Sequence, residues 1–523
     1  MSNQNKPNAH RERRIIYNND GGDAFLPGAN TPDGFLSKRL THILGTQVDS
    51  VFYGTGATAM FTHLAQVGEI YGEFIHDGME NPWQWIDLRD NIAALREAGF
   101  DTLELVIDFC HKNDLEIFWT HRINDIHDSQ ASCVASLPRW KREHPEYCMG
   151  PPENAAKYDP NSPRYWWSSL DFERPEVLDY LYCILEDVCR RYDVDGIEID
   201  YFRSPMFFRP NLDFQPATPA QVDILTGFQR RVRDLASREG GRRGRSILVS
   251  TRVPMTEAAC RHVGIDVVGW LKEKLMDVLT TGGGYVPFTM PTAELVGLGH
   301  AHHVPVYPTI SDTGLRNRGF GNYQSAEAWR GTAANAWNAG ADGIVMFNAW
   351  ANRQESPNDG VSLSGVAGTL DLLDQIGSPH TLVGLDKIFA IDNHPILEGD
   401  LVQAIEQSQI LPMTVEPWGK PRGERLIIAD DIQAAENNGT LADVEMRIQL
   451  EEVRPDDTVE VRLNGIPLTP QDTDAGTGWL TFRPEPASYR VGENNVQLRV
   501  LHRPSTDQNP IVVRAVEVHV KYR

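Results

Sequence analysis

The 523-residue chain sets 72 Asp and Glu against 49 Lys and Arg, a formal net charge of −23, with 41% hydrophobic and 23% charged residues. That balance belongs to a globular protein with more than one core, not to a disordered or fibrous chain. The acid excess, with no basic run to offset it, excludes nucleic acid as a partner.

In chain order, the polar segment 1–13 predicts an N-terminal tail. No apolar core of a signal peptide stands near it, and no later stretch approaches a membrane span. A soluble, cytoplasmic protein is expected, with a secreted or periplasmic one only if a leader had been trimmed. From residue 14, short β-rich runs alternate with longer helical patterns, which predicts a parallel sheet. The runs cover 15–17, 48–53, 115–119, 196–200, 247–251, 278–281, 304–307 and 343–347. Helices are predicted over 89–97, 102–112, 175–191, 220–238 and 326–339, with Pro175 and Pro219 at or next to helix starts, where proline is tolerated. Eight such units match a closed (β/α)8 TIM barrel with insertions. Asn18–Gly22 is no dinucleotide fingerprint, and the triple glycine at Gly282–Gly284 lacks the Lys-Ser/Thr of a phosphate loop, which argues against an open doubly wound sheet.

One more helix is predicted over 364–375, and the barrel with its connecting segment is assigned to 14–398. From 399 to 523 alternating strands without helices predict a small C-terminal β-sandwich, at 444–450, 458–463, 479–483, 495–501 and 511–521. Asn464-Gly465 is a hairpin turn signal between two of these strands. The six cysteines include no C-x-x-C pair and are read as small buried hydrophobes, not as a zinc site or a disulfide frame.

In such barrels the chemistry lies at the C-terminal ends of the strands. The fourth run reads Asp195-Gly196-Ile197-Glu198-Ile199-Asp200-Tyr201-Phe202-Arg203-Ser204-Pro205. A two-residue period turns Glu198 and Asp200 toward the barrel axis, and two inward carboxylates need a purpose or a partner. A structural ion pair with Arg203 is the plain alternative. After the third run comes His121-Arg122-Ile123-Asn124-Asp125-Ile126-His127-Asp128, dense in groups that bind sugar hydroxyls. His121, Asp125, His127 and Asp128 are also conceivable metal ligands, but the first strand lacks a His-x-His, and neither metal nor cofactor is expected. Other strand ends contribute Asn19, Asp20, Arg252, Tyr285, Asp312, Asn348 and Trp350, and Trp119, Tyr201 and Arg203 complete the expected substrate-binding set.

Asp195–Pro205 resembles the strand-four motif Asp-Gly-Ile-x-x-Asp-x-x-Arg-x-Pro of the glycosyl-hydrolase-like family 10 barrels. Leu170-Asp171 with Pro175-Glu176-Val177, and Gly340–Ile344 before Phe347-Asn348, are similar to two further features of that family. The resemblance covers roughly 14–350 and departs at Glu198 and Ser204. It implies hydrolysis of a glycosidic bond in an oligo- or polysaccharide, with Asp200 at the family's acidic position. Phe202 stands where a chitinase-like D-x-x-D-x-D-x-E series would end in an acid, so substrate-assisted chemistry is not expected.

Hydrolysis by two carboxyl groups needs one ionised and one protonated. Asp200 is the expected ionised partner; Asp125, Glu198, Asp128 and Asp312 compete for the acid, with a residue from another strand favoured. A non-catalytic carbohydrate-binding barrel and a metal-dependent hydrolase or lyase are the competing readings, and the sequence leaves room for a homo-oligomer.

Overall fold

The computed structural model describes residues 8–73, 83–130, 135–160, 162–283, 289–311, 325–348, 369–391, 411–454, 456–474, 477–504 and 509–523. Eight parallel strands close into a barrel in sequential order. They are β1 (Ile15–Asn19), β2 (Val48–Gly54), β3 (Glu116–Arg122), β4 (Gly196–Asp200), β5 (Leu248–Val253), β6 (Val278–Thr281), β7 (Val306–Ile310) and β8 (Ile344–Phe347). All eight predicted runs are present. Five extend further at their C-terminal ends than the sequence indicates: β1 by two residues, β2 by one, β3 by three, β5 by two and β7 by three.

The helices form where the sequence supplies an apolar stripe and a start signal. Pro175–Arg191 begins on Pro175 and buries Val177, Leu178, Leu181, Ile184, Leu185 and Val188, a 3.6-residue repeat facing the strands. Each such side chain contributes roughly 1.5–3 kcal/mol. Pro219–Arg243 opens on a Thr218–Gln221 capping box and stops at Gly244 in the left-handed region. No helix among the described residues is long and apolar enough to cross a membrane. The helix predicted over 364–375 is described only as Thr369–Leu372 and the turn that follows.

Alternation fills the barrel in layers. Ile16, Phe52, Phe118, Leu248, Val278, Tyr307 and Val345 form a dry middle layer, with Phe52 and Phe118 stacked 4.4 Å apart. Gly196 is required there, since a Cβ would stand 2.2 Å from the Phe118 ring. Below that layer, Arg13 bonds both oxygens of Glu116 at 2.6 and 2.8 Å, and Ser50 donates to Glu116 at 2.6 Å. The predicted tail is therefore not free at its end: Arg13 plugs the bottom of the barrel.

Two antiparallel sheets follow. One contains β9 (Lys387–Ile391), β10 (Met413–Val415), β12 (Leu441–Glu451), β15 (Asp472–Asp474), β16 (Trp479–Phe482) and β18 (Ile511–Tyr522); the other contains β11 (Arg422–Ile428), β13 (Thr458–Leu463), β14 (Ile466–Leu468) and β17 (Gly492–His502). Leu426, Val461, Val496 and Leu498 of one sheet and Met446, Ile448, Val516 and Val518 of the other share one core. Asn464 and Gly465 both take positive φ and turn β13 into β14. β9 lies by sequence inside 14–398, yet it pairs with β18. It also lies on the barrel helix Ala326–Asn338, where Gly331 brings the two backbones together: a Cβ there would be 2.0 Å from the Ile388 carbonyl oxygen.

Among the described cysteines, Cys110, Cys148, Cys189 and Cys260 are buried as expected, all are free thiols, and Cys183 is exposed instead. Cys133 lies outside the described residues.

Candidate active site

Asp195 opens β4 at the end of the barrel away from the mouth. It accepts from the Ile117 N–H at 2.9 Å and pairs with Arg245, so the first acid of the motif is a brace between strands. Two residues on, Glu198 is wholly buried inside the barrel. It binds Arg252 Nη2 at 3.1 Å and accepts from the hydroxyls of Thr120 at 2.9 Å and Thr280 at 2.8 Å. Its partner is thus Arg252 on β5, not Arg203. Burial pushes the Glu198 carboxyl up, and the Asp200 carboxylate adds to this against the pull of Arg252.

Asp200 stands one layer higher. Its Oδ1 accepts from the N–H groups of Phe202 (3.0 Å) and Arg203 (2.9 Å), while Oδ2 faces Arg252 Nη1 at 3.8 Å. The carboxylate is held by one oxygen. The Nη1 nitrogen of Arg252 is buried and has no hydrogen-bond partner among the described residues, and the same holds for Asn18 Oδ1, Ser250 Oγ, Thr309 Oγ1 and Asn348 Oδ1 on inward-facing or strand-end positions. These buried polar atoms at the upper end of the barrel retain hydrogen-bonding capacity.

A chain of alternating charge crosses the mouth. Arg39 approaches Asp20 at 3.8 Å, Asp20 pairs with Arg122 at 3.1 Å, and Arg122 pairs with Asp125 at 2.9 Å. Asn348 donates to Asp20 at 2.8 Å. Asp125 Oδ1 accepts from the His127 backbone N–H at 3.0 Å and lies 2.7 Å from its ring Nδ1, and Nε2 of that ring lies 3.3 Å from Arg203 Nη2. Burial alone would raise the Asp125 carboxyl, but the His127 ring and the Arg122 and Arg203 guanidinium groups outweigh it and hold the group well below its ordinary value. Asp20 is lowered likewise, with Arg122, Arg39 and Arg203 overcoming its burial. Arg203 and Arg252 both lie over the Phe347 ring, at 5.8 and 4.9 Å.

Several expected substrate contacts turn away from this mouth. Because β3 runs on to Arg122, Trp119 and His121 fall on its outer face, stacked 5.2 Å apart. Trp119 donates to Thr55 Oγ1 at 2.8 Å, and His121 Nε2 lies 3.0 Å from the Thr58 carbonyl oxygen. Burial drives His121 down to about 4. Tyr201 donates outward to Gln229 at 2.7 Å, and Asn19 binds Asp23 at 3.1 Å. Asn124 clasps the loop after β4, donating to the carbonyl oxygens of Ser204 and Met206. Asp128 is sealed against Lys141 at 2.8 Å and Ser168.

Of the four residues considered as metal ligands, His121 and Asp128 turn elsewhere while Asp125 and His127 bond each other, and no metal-holding cluster of three or more His, Cys, Asp or Glu occurs among the described residues. Tyr285, Asp312 and Trp350 lie outside the described residues. His127, weighed only as a ligand, and Arg39, not considered, both belong to the mouth. The signal for His127 was its place two residues after Asp125, the spacing of a carboxylate that bonds back to a following N–H.

A (β/α)8 barrel with a charged mouth at its C-terminal strand ends is the class that fold and site define. Residues 79–212, which carry β3, β4 and their loops, match the Glycosyl hydrolase-like 10 family, the same family that the strand-four motif resembles. No curated protein sequence matches the chain. Solved structures to which the chain is similar include a family GH18 chitinase from Chromobacterium violaceum (10% identity, 99% of this chain and 89% of that one, TM-score 0.37). The PgaB (BpsB) glycoside hydrolase domain from Bordetella bronchiseptica is another (11% identity, 64% and 93%, TM-score 0.33). A third is the chitinase ChiW from Paenibacillus sp. str. FPU-7 (11% identity, 96% and 53%, TM-score 0.39), of which the chain spans about half the length.

Proposed function

We propose that the chain is a glycoside hydrolase acting on an oligo- or polysaccharide, with Asp200 as the ionised carboxylate of the reaction. The observation that carries this reading is the posture of Asp200. It stands at a barrel strand end, pinned through Oδ1 by two backbone N–H groups, with Oδ2 beside a buried guanidinium. An anionic group so held stabilises positive charge developing at an anomeric carbon or takes a proton from water. The match of residues 79–212 to a glycosyl-hydrolase-like family supports the same chemistry.

Asp125 and Glu198 take supporting roles in this reading. Asp125 is held ionised, which suits orienting a neighbour more than giving up a proton. Glu198 is sealed in the barrel, where it fixes Arg252 under Asp200. The test is a screen of the purified protein against diverse glycans, with release of reducing sugar as the readout. Asp200→Asn is expected to lower the rate on the cleaved glycan by at least about a hundredfold; full activity in the variant would overturn the site. The slight exposure of the Asp200 side chain, 3%, favours a second reading, a barrel that binds carbohydrate without cleaving it. That reading predicts no turnover on any glycan and calorimetric binding that Asp200→Ala weakens.

A further inference from the structure

The loops that follow β3 and β4 carry aromatic side chains that the mouth does not use. In the first, residues 162–167 read Ser-Pro-Arg-Tyr-Trp-Trp, and the short helix Pro163–Tyr165 lies against the short helix Arg209–Asp213 of the second. Arg164 clamps the two, donating to both oxygens of Asp213 at 2.8 and 2.7 Å. The chain then leaves each helix at an aromatic residue, Trp166 on one side and Phe214 on the other. Trp167 is buried and donates to the Ser129 carbonyl oxygen at 3.2 Å, whereas Tyr165 and Trp166 are half-buried.

We infer, taking the glycosidase reading above as the starting point, that Tyr165, Trp166 and Phe214 form a distal platform on which sugar rings outside the catalytic mouth rest. The substrate is then a chain of several sugars, not a disaccharide. Three observations carry this. First, the Trp166 ring is held ready: its Nε1 donates to the Pro160 carbonyl oxygen at 3.2 Å, and Tyr165 packs edge-to-face against it with ring centroids 5.0 Å apart. A ring fixed in this way loses little freedom when the C–H face of a sugar settles on it.

Second, Phe214 is kept at a cost. It is 43% exposed and sits at φ 54°, in the left-handed region that a bulky side chain enters only under strain. An exposed ring gains little from the protein's own packing to offset that strain; a sugar resting on it supplies the missing contact. Third, the platform is continuous with the mouth. Trp166 stands two residues before Ser168, which donates to Asp128 beside His127, and Phe214 belongs to the loop that follows Asp200. The exposed Arg164–Asp213 pair and Gln215 stand beside these rings and offer the donors and acceptors that sugar hydroxyls need.

The experiment measures by calorimetry the binding of cellohexaose, xylohexaose, maltohexaose and chitohexaose, each against its disaccharide, to wild type, Trp166→Ala and Phe214→Gly. Wild type is expected to bind at least one hexasaccharide about tenfold or more tighter than the matching disaccharide, and each variant to bring that ratio close to one. Phe214→Gly guards against misfolding: glycine is at ease at positive φ, so its melting temperature should equal or exceed wild type while the preference for the longer chain falls. A wild type with no such preference, or variants that keep it in full, would overturn the platform. So would an equal loss on both lengths, which would mark these rings as loop packing. Turnover of the same sugars is scored separately. Cleavage without a length preference sinks the platform and leaves the glycosidase reading intact. A preference that the variants abolish, with no cleavage of these sugars or of any glycan in the wider screen, sinks that reading and leaves the platform as part of a binding barrel.

Discussion

Arg252 shows how a single residue joins the interior of the barrel to its mouth. Its side chain is wholly buried, it is bidentate toward Glu198, and it faces Asp200. Replacing it leaves two carboxyl groups in a low-dielectric interior without their cation, the costly half of a buried pair. Arg252→Met is therefore expected to lose about 3–5 kcal/mol of stability, read as a drop in the urea midpoint, and an unchanged midpoint would contradict the pairing. Arg252→Lys should recover only part of the loss, because one ammonium cannot span both oxygens of Glu198 and face Asp200. At this scale the sequence was half legible. Alternation placed Glu198 and Asp200 on the inner face correctly, because β4 begins and ends where its pattern says. Its partner was misread, since Arg203 is near in sequence while Arg252 is near only after β4 and β5 pair side by side.

Elements explain the other misassignments. β3 was read as ending at Trp119, so everything after it counted as loop, where any side chain can face a ligand. The strand in fact continues to Arg122. Strict alternation then sends Thr120 and Arg122 inward and Trp119 and His121 outward. Polar residues in a strand's last turn look like loop residues by composition, and only the pairing with β2 and β4 reveals that the ladder continues. Gly331 is the helical counterpart. A glycine in a helix interior costs up to about 1 kcal/mol against alanine, and here its compensation is backbone contact with β9. Gly331→Val should therefore push β9 off the helix Ala326–Asn338 and lower the melting temperature, even though valine suits a helix better. A melting temperature equal to or above wild type would refute that contact.

At the level of the whole molecule, the barrel class was legible because eight runs alternate with helices and lie in sequential order. The sandwich was legible as alternating strands, but the helix-free pattern expected there is broken by the short helix Ile432–Asn437, capped by Asp431, and β9, β10, β11, β14 and β15 were not singled out, being short or drawing their order from distant partners. A property of the whole chain also follows from buried histidines. His42, His63 and His121 are each driven by burial from 6.5 down to about 4. Their folded values are depressed, so the unfolded chain takes up protons first as the pH falls. Stability is fully present above 6.5 and is lost progressively toward 4, by roughly 3 kcal/mol for each group that behaves independently. Asp125, lowered as a carboxylate, adds a further loss only below its ordinary range near 4. The urea midpoint should fall steadily between pH 7 and pH 4.5, and His121→Gln should flatten that slope; a midpoint constant over this interval would rule the account out.

The strand β9 rests on the barrel yet takes its ladder from β18, whose residues come more than a hundred positions later. A growing chain therefore reaches the ribosome exit with its eight barrel strands complete and one flank of helix Ala326–Asn338 still waiting for its cover to be locked in place. Attachment of the second body is a late event in synthesis, and a nascent chain halted before residue 511 would leave that flank, and the edge of β9, open to other chains.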